Sequence, residues 1–159
     1  MKNNINSVVI KFGGTSVSRN DRIQTICDIV VREKSRNPIV VVSALSGVTD
    51  LLLSLSHKNK NELEVVLRDI KKIHMRLVDS IWKDKKNRSD IESYIDEKML
   101  ELPHIIKNNI ISKKALDNIV SFGEIMSSYI VSKALQSRSI SSRPIIASSL
   151  IITDSHCGS

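Results

Sequence analysis

Aromatic side chains are nearly absent from this 159-residue chain, at 3% of residues. Its core must therefore be aliphatic, built chiefly from Ile, Val and Leu. It also lacks the ring platform on which single-stranded nucleic acids stack. Cysteine is scarce too. Cys27 and Cys157 match no metal spacing and no disulfide framework, as expected in a reducing compartment. No apolar run reaches membrane-spanning length, and the opening MKNNINS lacks the apolar segment of a secretory signal. A cytoplasmic protein with no membrane partner is the expectation.

Several chemistries are missing as well. His57, His74, His104 and His156 stand alone, and His156-Cys157 is too little for zinc, so no metal site is expected. No GxSxG nucleophile signature occurs. The segment 13–18, GGTSVS, is neither a Walker A loop nor a GxGxxG turn.

What is present is an ordinary composition, 41% hydrophobic and 26% charged, with a net charge of +7. The length suits one domain with a sizeable core. Lys and Arg are spread from Lys2 to Arg143, and the densest group, 83–88, contains Asp84. This is general surface charge, which predicts weak non-specific nucleic-acid binding at most; no nucleic-acid partner is expected.

Residues 7–12 predict a first strand, 13–18 a small-residue loop, and 21–34 a helix capped by Asp21. Ile23, Ile26, Cys27, Val30 and Val31 share one face of that helix. Asn37-Pro38 ends it. The continuous run Ile39-Val40-Val41-Val42 predicts a strand covered on both faces, followed by a second small-residue loop, 43–49. Residues 1–50 thus form a βαβ unit with parallel strands, and both loops lie at the carboxyl edge, where open α/β sheets bind ligands.

Residues 51–120 predict a long helical excursion: a helix from 51 to about 57, one over 62–82, one over 89–102 and one over 105–119. Ser89 and Glu92 fit a capping box, and Pro103 marks a stop. Residues 121–159 predict a helix opening at SFGE, then strands at 144–147 and 151–152.

Lys11 is the sharpest local anomaly, a charge inside an apolar strand and next to a glycine turn. Two readings stand: a phosphate clamp beside a nest of backbone amides, or a sheet-edge lysine reaching solvent. Ser43 and Ser46 could hydrogen-bond phosphate at the same edge. Thr49 or Asp50 fits a helix cap, or Thr49 a ligand contact. Glu124, placed in a first helical turn, fits a carboxylate complementing the helix dipole, or an acceptor for a substrate ammonium.

Together these motifs resemble aspartate kinase, of the amino-acid kinase family. VVIKFGGTSV resembles the family's opening motif, IVVVSALSGVTDLL (39–52) its second-strand motif, SFGEIMSS (121–128) its Ser-x-Gly-Glu motif, and ASSLIITD (147–154) the segment after the third strand. VSALSGVTD is also similar to forms fused to diaminopimelate decarboxylase. The resemblance implies an α/β, parallel-sheet amino-acid-kinase-like N-terminal lobe with a long helical excursion. It implies phosphorylation of the L-aspartate β-carboxylate by ATP with Mg2+, with no bound prosthetic group. It implies Lys11 as the catalytic cation. Lys11, Phe12, Gly13, Gly14, Thr15, Ser16 and Ser43 would hold ATP phosphates, and Thr49 and Glu124 would hold aspartate. The family's second half, with its nucleotide lobe and ACT domains, has no counterpart in these residues. The chain is therefore expected to be incomplete relative to the family domain and inactive alone, completed by a C-terminal half or in a homo-oligomer. A non-catalytic remnant or binding fragment is the alternative.

Overall fold

The computed structural model describes residues 7–108 and 113–151. Strands β1 (Val9–Phe12) and β2 (Ile39–Val42) run parallel, paired from Val9 with Ile39 to Phe12 with Val42. Between them lie α1 (Gly14–Val17), α2 (Asn20–Arg32) and a 3-10 turn at Lys34–Arg36. Asn37 takes a left-handed φ of 43°, and Pro38 follows, so the helical path stops and the chain re-enters the sheet. The expected βαβ unit is present. Asp21 lies in the first turn of α2 and does not cap it; its carboxylate pairs with Arg19 instead, 2.9 Å away.

Helix α3 (Val48–Ser54) follows the second loop and ends in a 3-10 turn at Leu55–His57. Helix α4 (Lys60–Ile81) starts with a capping box. The Asn59 side chain accepts from the Glu62 amide at 3.0 Å, and the Glu62 carboxylate accepts from the Asn59 amide at 3.1 Å. Helices α5 (Ser89–Asn108) and α6 (Lys113–Ser137) complete the helical part. One continuous aliphatic core joins Ile23, Ile26 and Val30 of α2 to Leu52, Ile70, Ile95 and Ile130. Among the described residues no helix is long and apolar enough to cross a membrane.

The two tyrosines and the tryptophan tie helices together. Tyr94 of α5 stacks on Tyr129 of α6 with ring centroids 3.8 Å apart. Lys98 and Lys133 cover the two rings at 5.3 and 5.5 Å. The Trp82 indole donates to the Ser137 hydroxyl at 3.0 Å.

Several expectations are corrected. The sheet is covered on one face only: Phe12, Val40 and Val42 pack on the core, while Val9, Ile39 and Val41 are exposed. Two four-residue strands carry one layer of helices, so an apolar run here does not mean two-sided burial. Val31 turns outward for lack of a neighbour on its side of α2. Pro103 lies inside α5 rather than at its end. Leu102 is fully buried and Ile105 and Ile106 pack on the core, which outweighs one missing backbone donor. Ser89 makes no capping box; its hydroxyl donates to the Lys86 carbonyl at 3.2 Å. Residues 144–147 form no strand, since Ile145 and Ile146 are exposed without a sheet neighbour, and Ala147–Ser149 is a 3-10 turn. Ile152, His156 and Cys157 lie outside the described residues, as does the end of the 147–154 motif.

Cys27 is buried, and burial pushes its thiol pKa up, as for an inert packing residue. His74 is wholly buried in α4. Its Nδ1–H donates to the Ile70 carbonyl at 2.8 Å, and its Nε2 has no partner among the described residues. Burial lowers its pKa from 6.5 to about 4. The unfolded chain then binds a proton that the folded chain refuses. Stability is full above pH 6.5 and falls as pH drops toward 4, by roughly 3 kcal/mol in all. Urea midpoints measured across that window should show the decline in the native chain and a flatter profile in His74→Phe.

Candidate active site at the carboxyl edge of the sheet

The site begins where β1 and β2 end. The Ser43 amide donates to the Phe12 carbonyl at 3.1 Å, extending the ladder one step beyond the strands. The chain then leaves the sheet on both sides. After Phe12 it turns through Gly13 into α1, where the Ser16 amide donates to the Gly13 carbonyl at 2.9 Å. After Ser43 it dips into the core at Ala44 and Leu45. It turns through Gly47, whose φ of +81° requires glycine, and enters α3.

Ala44 is the point of convergence. A Cβ on Gly14 would stand 2.7 Å from the Ala44 carbonyl oxygen. A Cβ on Gly123 would stand 2.6 Å from the Ala44 Cβ and 3.3 Å from side-chain atoms of Leu52 and Val48. Neither clash involves the far end of a flexible side chain. The three loop and helix motifs of the sequence therefore meet at one residue, gripped between two glycines.

Gly13 differs from Gly14. A Cβ there would meet nothing within 4 Å, and its φ of −76° suits any residue. Neither packing nor backbone conformation asks for glycine at 13. A Cβ there would face open space among the described residues.

The expected site residues fall around this edge. Lys11 is exposed on the uncovered sheet face and makes no ion pair among the described residues. The side chains of Thr15, Ser16 and Ser43 make no hydrogen bond among the described residues. Phe12 contributes its carbonyl, while its ring packs on the core. Thr49 and Asp50 do not cap α3: Gly47 holds that position, with no side-chain cap. Thr49 is half-buried without a partner among the described residues, one residue beyond the Val48 that touches Gly123.

Glu124 needs the largest correction. It lies deep inside α6, not in a first turn, because Ala115, Ile119 and Phe122 carry the apolar face back to Lys113. Ser121 does not cap; its hydroxyl donates to the Asn118 carbonyl at 2.7 Å. The helix-dipole explanation of this carboxylate is thereby removed. Glu124 is half-buried beside Gly123 and has no ion pair among the described residues. Among the described residues no three His, Cys, Asp or Glu side chains gather as a metal site.

Sequence reasoning missed two features. Ala44 and Gly123 act by being small, a signal visible as a Gly or Ala within each motif. Ser18 acts by linking the loops: its hydroxyl donates to the Gly14 carbonyl and accepts from the Ser46 amide at 2.8 Å. No spacing rule pairs residues 18 and 46.

The aspartokinase of Chlamydia pneumoniae is 32% identical over 150 residues, 94% of this chain and 32% of that protein. Among solved structures, the chain resembles Escherichia coli aspartokinase III in complex with lysine and aspartate. The TM-score is 0.75 at 27% identity, covering 86% of this chain and 30% of that one. The same enzyme in complex with aspartate and ADP gives a TM-score of 0.71 at 28% identity, covering 84% and 29%. The chain thus spans about a third of the length of each of these proteins.

The two neighbouring glycines should respond differently to one methyl group. Gly14→Ala forces the Ala44 backbone to move and is expected to cost about 1–3 kcal/mol. Gly13→Ala is expected to leave stability within about 0.5 kcal/mol. Chemical denaturation of both variants checks this, and equal losses would contradict the assignment of Gly14 to packing.

The model of the amino acid kinase family matches residues 6–158, nearly the whole chain, and the chain belongs to that family.

Proposed function

We propose that this chain forms the phosphate-facing edge of an aspartokinase, which phosphorylates the β-carboxylate of L-aspartate with ATP to give 4-phospho-L-aspartate. That product feeds lysine, threonine and methionine synthesis. The observation that carries the reading is the meeting of the family's three motifs at Ala44, at the sheet edge where Gly13 faces open space and Lys11 has no ion pair among the described residues. The aspartate and ADP found in the complex of the Escherichia coli enzyme support it.

A β-carboxylate oxygen attacks the γ-phosphorus, a P–O bond forms, and the bond to the ADP oxygen breaks. Such a transfer asks the protein for alignment and charge stabilisation rather than a nucleophile of its own. Lys11 neutralises phosphate charge. The backbone before Gly13 lets the phosphoryl group come close, with Thr15, Ser16 and Ser43 supplying hydroxyl donors. Glu124 takes the substrate ammonium and Thr49 lies beside it. Mg2+ enters with ATP and shields its phosphates.

A second reading is binding without turnover. One lysine is a modest set of charges for a phosphoryl transition state. Calorimetry and hydroxamate trapping separate the readings. Lys11→Met should weaken MgATP binding about tenfold or more with aspartate binding unchanged, and Glu124→Gln should do the converse. Hydroxamate formation would establish turnover; binding without it would favour the second reading. Absence of both ligands' binding would contradict the proposal.

A further inference from the structure

We propose that Ser18 is a positioning residue that locks the two phosphate-facing loops into one register; the inference rests on the function proposed above. Helix α1 is a single turn, too short to hold its own shape. Its start is pressed against Ala44 through Gly14, and Val17 near its end is fully buried. Both contacts are apolar or steric, and neither supplies a directional bond between α1 and the second loop. The Ser18 hydroxyl supplies the direction. It donates to the Gly14 carbonyl, closing α1 on itself, and accepts the Ser46 amide at 2.8 Å, tying α1 to the second loop. A hydroxyl has one proton to give and lone pairs to receive, so one side chain serves both bonds.

The placement matters because residues on both sides of this link are those proposed to meet phosphate: Gly13, Thr15 and Ser16 on one loop and Ser43 on the other. Ser18 itself touches none of the reacting atoms. Ser18 and Ser46 also line an open cleft of about 430 Å³, together with Arg19 and Arg76. Water reaches the link from that side. The Ser46 amide is held in place by this bond on the cleft side.

The test compares native chain, Ser18→Ala and Ser18→Thr by residue-resolved amide exchange, thermal melting and MgADP binding. In Ser18→Ala the Ser46 amide should exchange about tenfold faster or more, with the Ser43 amide unchanged. MgADP affinity should fall about three- to tenfold, with the melting temperature shifted little. Ser18→Thr keeps the hydroxyl and should restore both the protection and the affinity. Unchanged exchange at Ser46 in Ser18→Ala would overturn the link. Faster exchange with unchanged MgADP affinity would overturn its positioning role. A native chain that protects Ser46 yet binds no MgADP would overturn the proposed function instead, reducing Ser18 to a structural staple.

Discussion

The site depends on the absence of two methyl groups around a third. Ala44 places its carbonyl oxygen against the bare Cα of Gly14 and its Cβ against the bare Cα of Gly123. Protein interiors are packed too tightly to absorb an added carbon at such distances without moving backbone. The two loops and α6 are arranged around that contact. It brings α1 onto the second loop, and it brings the middle of α6 onto the same loop and the start of α3. Lys11, the hydroxyls of the two loops, Thr49 and Glu124 come from three distant parts of the sequence. Ala44 is small enough to bring the two loops, the start of α3 and the middle of α6 to one point.

The contact also divides the glycine pair into two roles. Gly14 is explained by packing, and nothing further need be asked of it. Gly13 is required by neither packing nor conformation among the described residues. A similar contrast applies to charge. Surface ions such as Arg19 and Asp21, or Arg36 and Glu33, find partners nearby. Lys11 and Glu124 have none among the described residues.

Much of this was legible in the sequence, and the failures have physical causes. The βαβ unit could be read because two β-branched runs flank an amphipathic helix, and loop position follows from parallel pairing. The helical excursion could be read from its apolar stripe. Helix ends were harder. Pro103 signals a stop by local rules, but the buried Leu102 and the packing of Ile105 and Ile106 carry α5 past it. SFGE looks like a helix start because Ser and Gly favour helix ends, yet buried Ala115 and Ile119 extend α6 back to Lys113. The strand expected at 144–147 failed because apolar β-branched residues need a pairing neighbour to become a strand. The Ser18 link was beyond sequence rules altogether, since it joins residues whose proximity only the folded loops create.

The central claim is that the open edge before Gly13 receives phosphate. A residue-resolved NMR titration of the chain with MgADP tests it most directly. The account predicts concentration-dependent amide shifts concentrated at residues 13–16 and 43–47, with α4 and α5 unmoved. Shifts centred elsewhere, or none at these two loops under saturating MgADP, would contradict it.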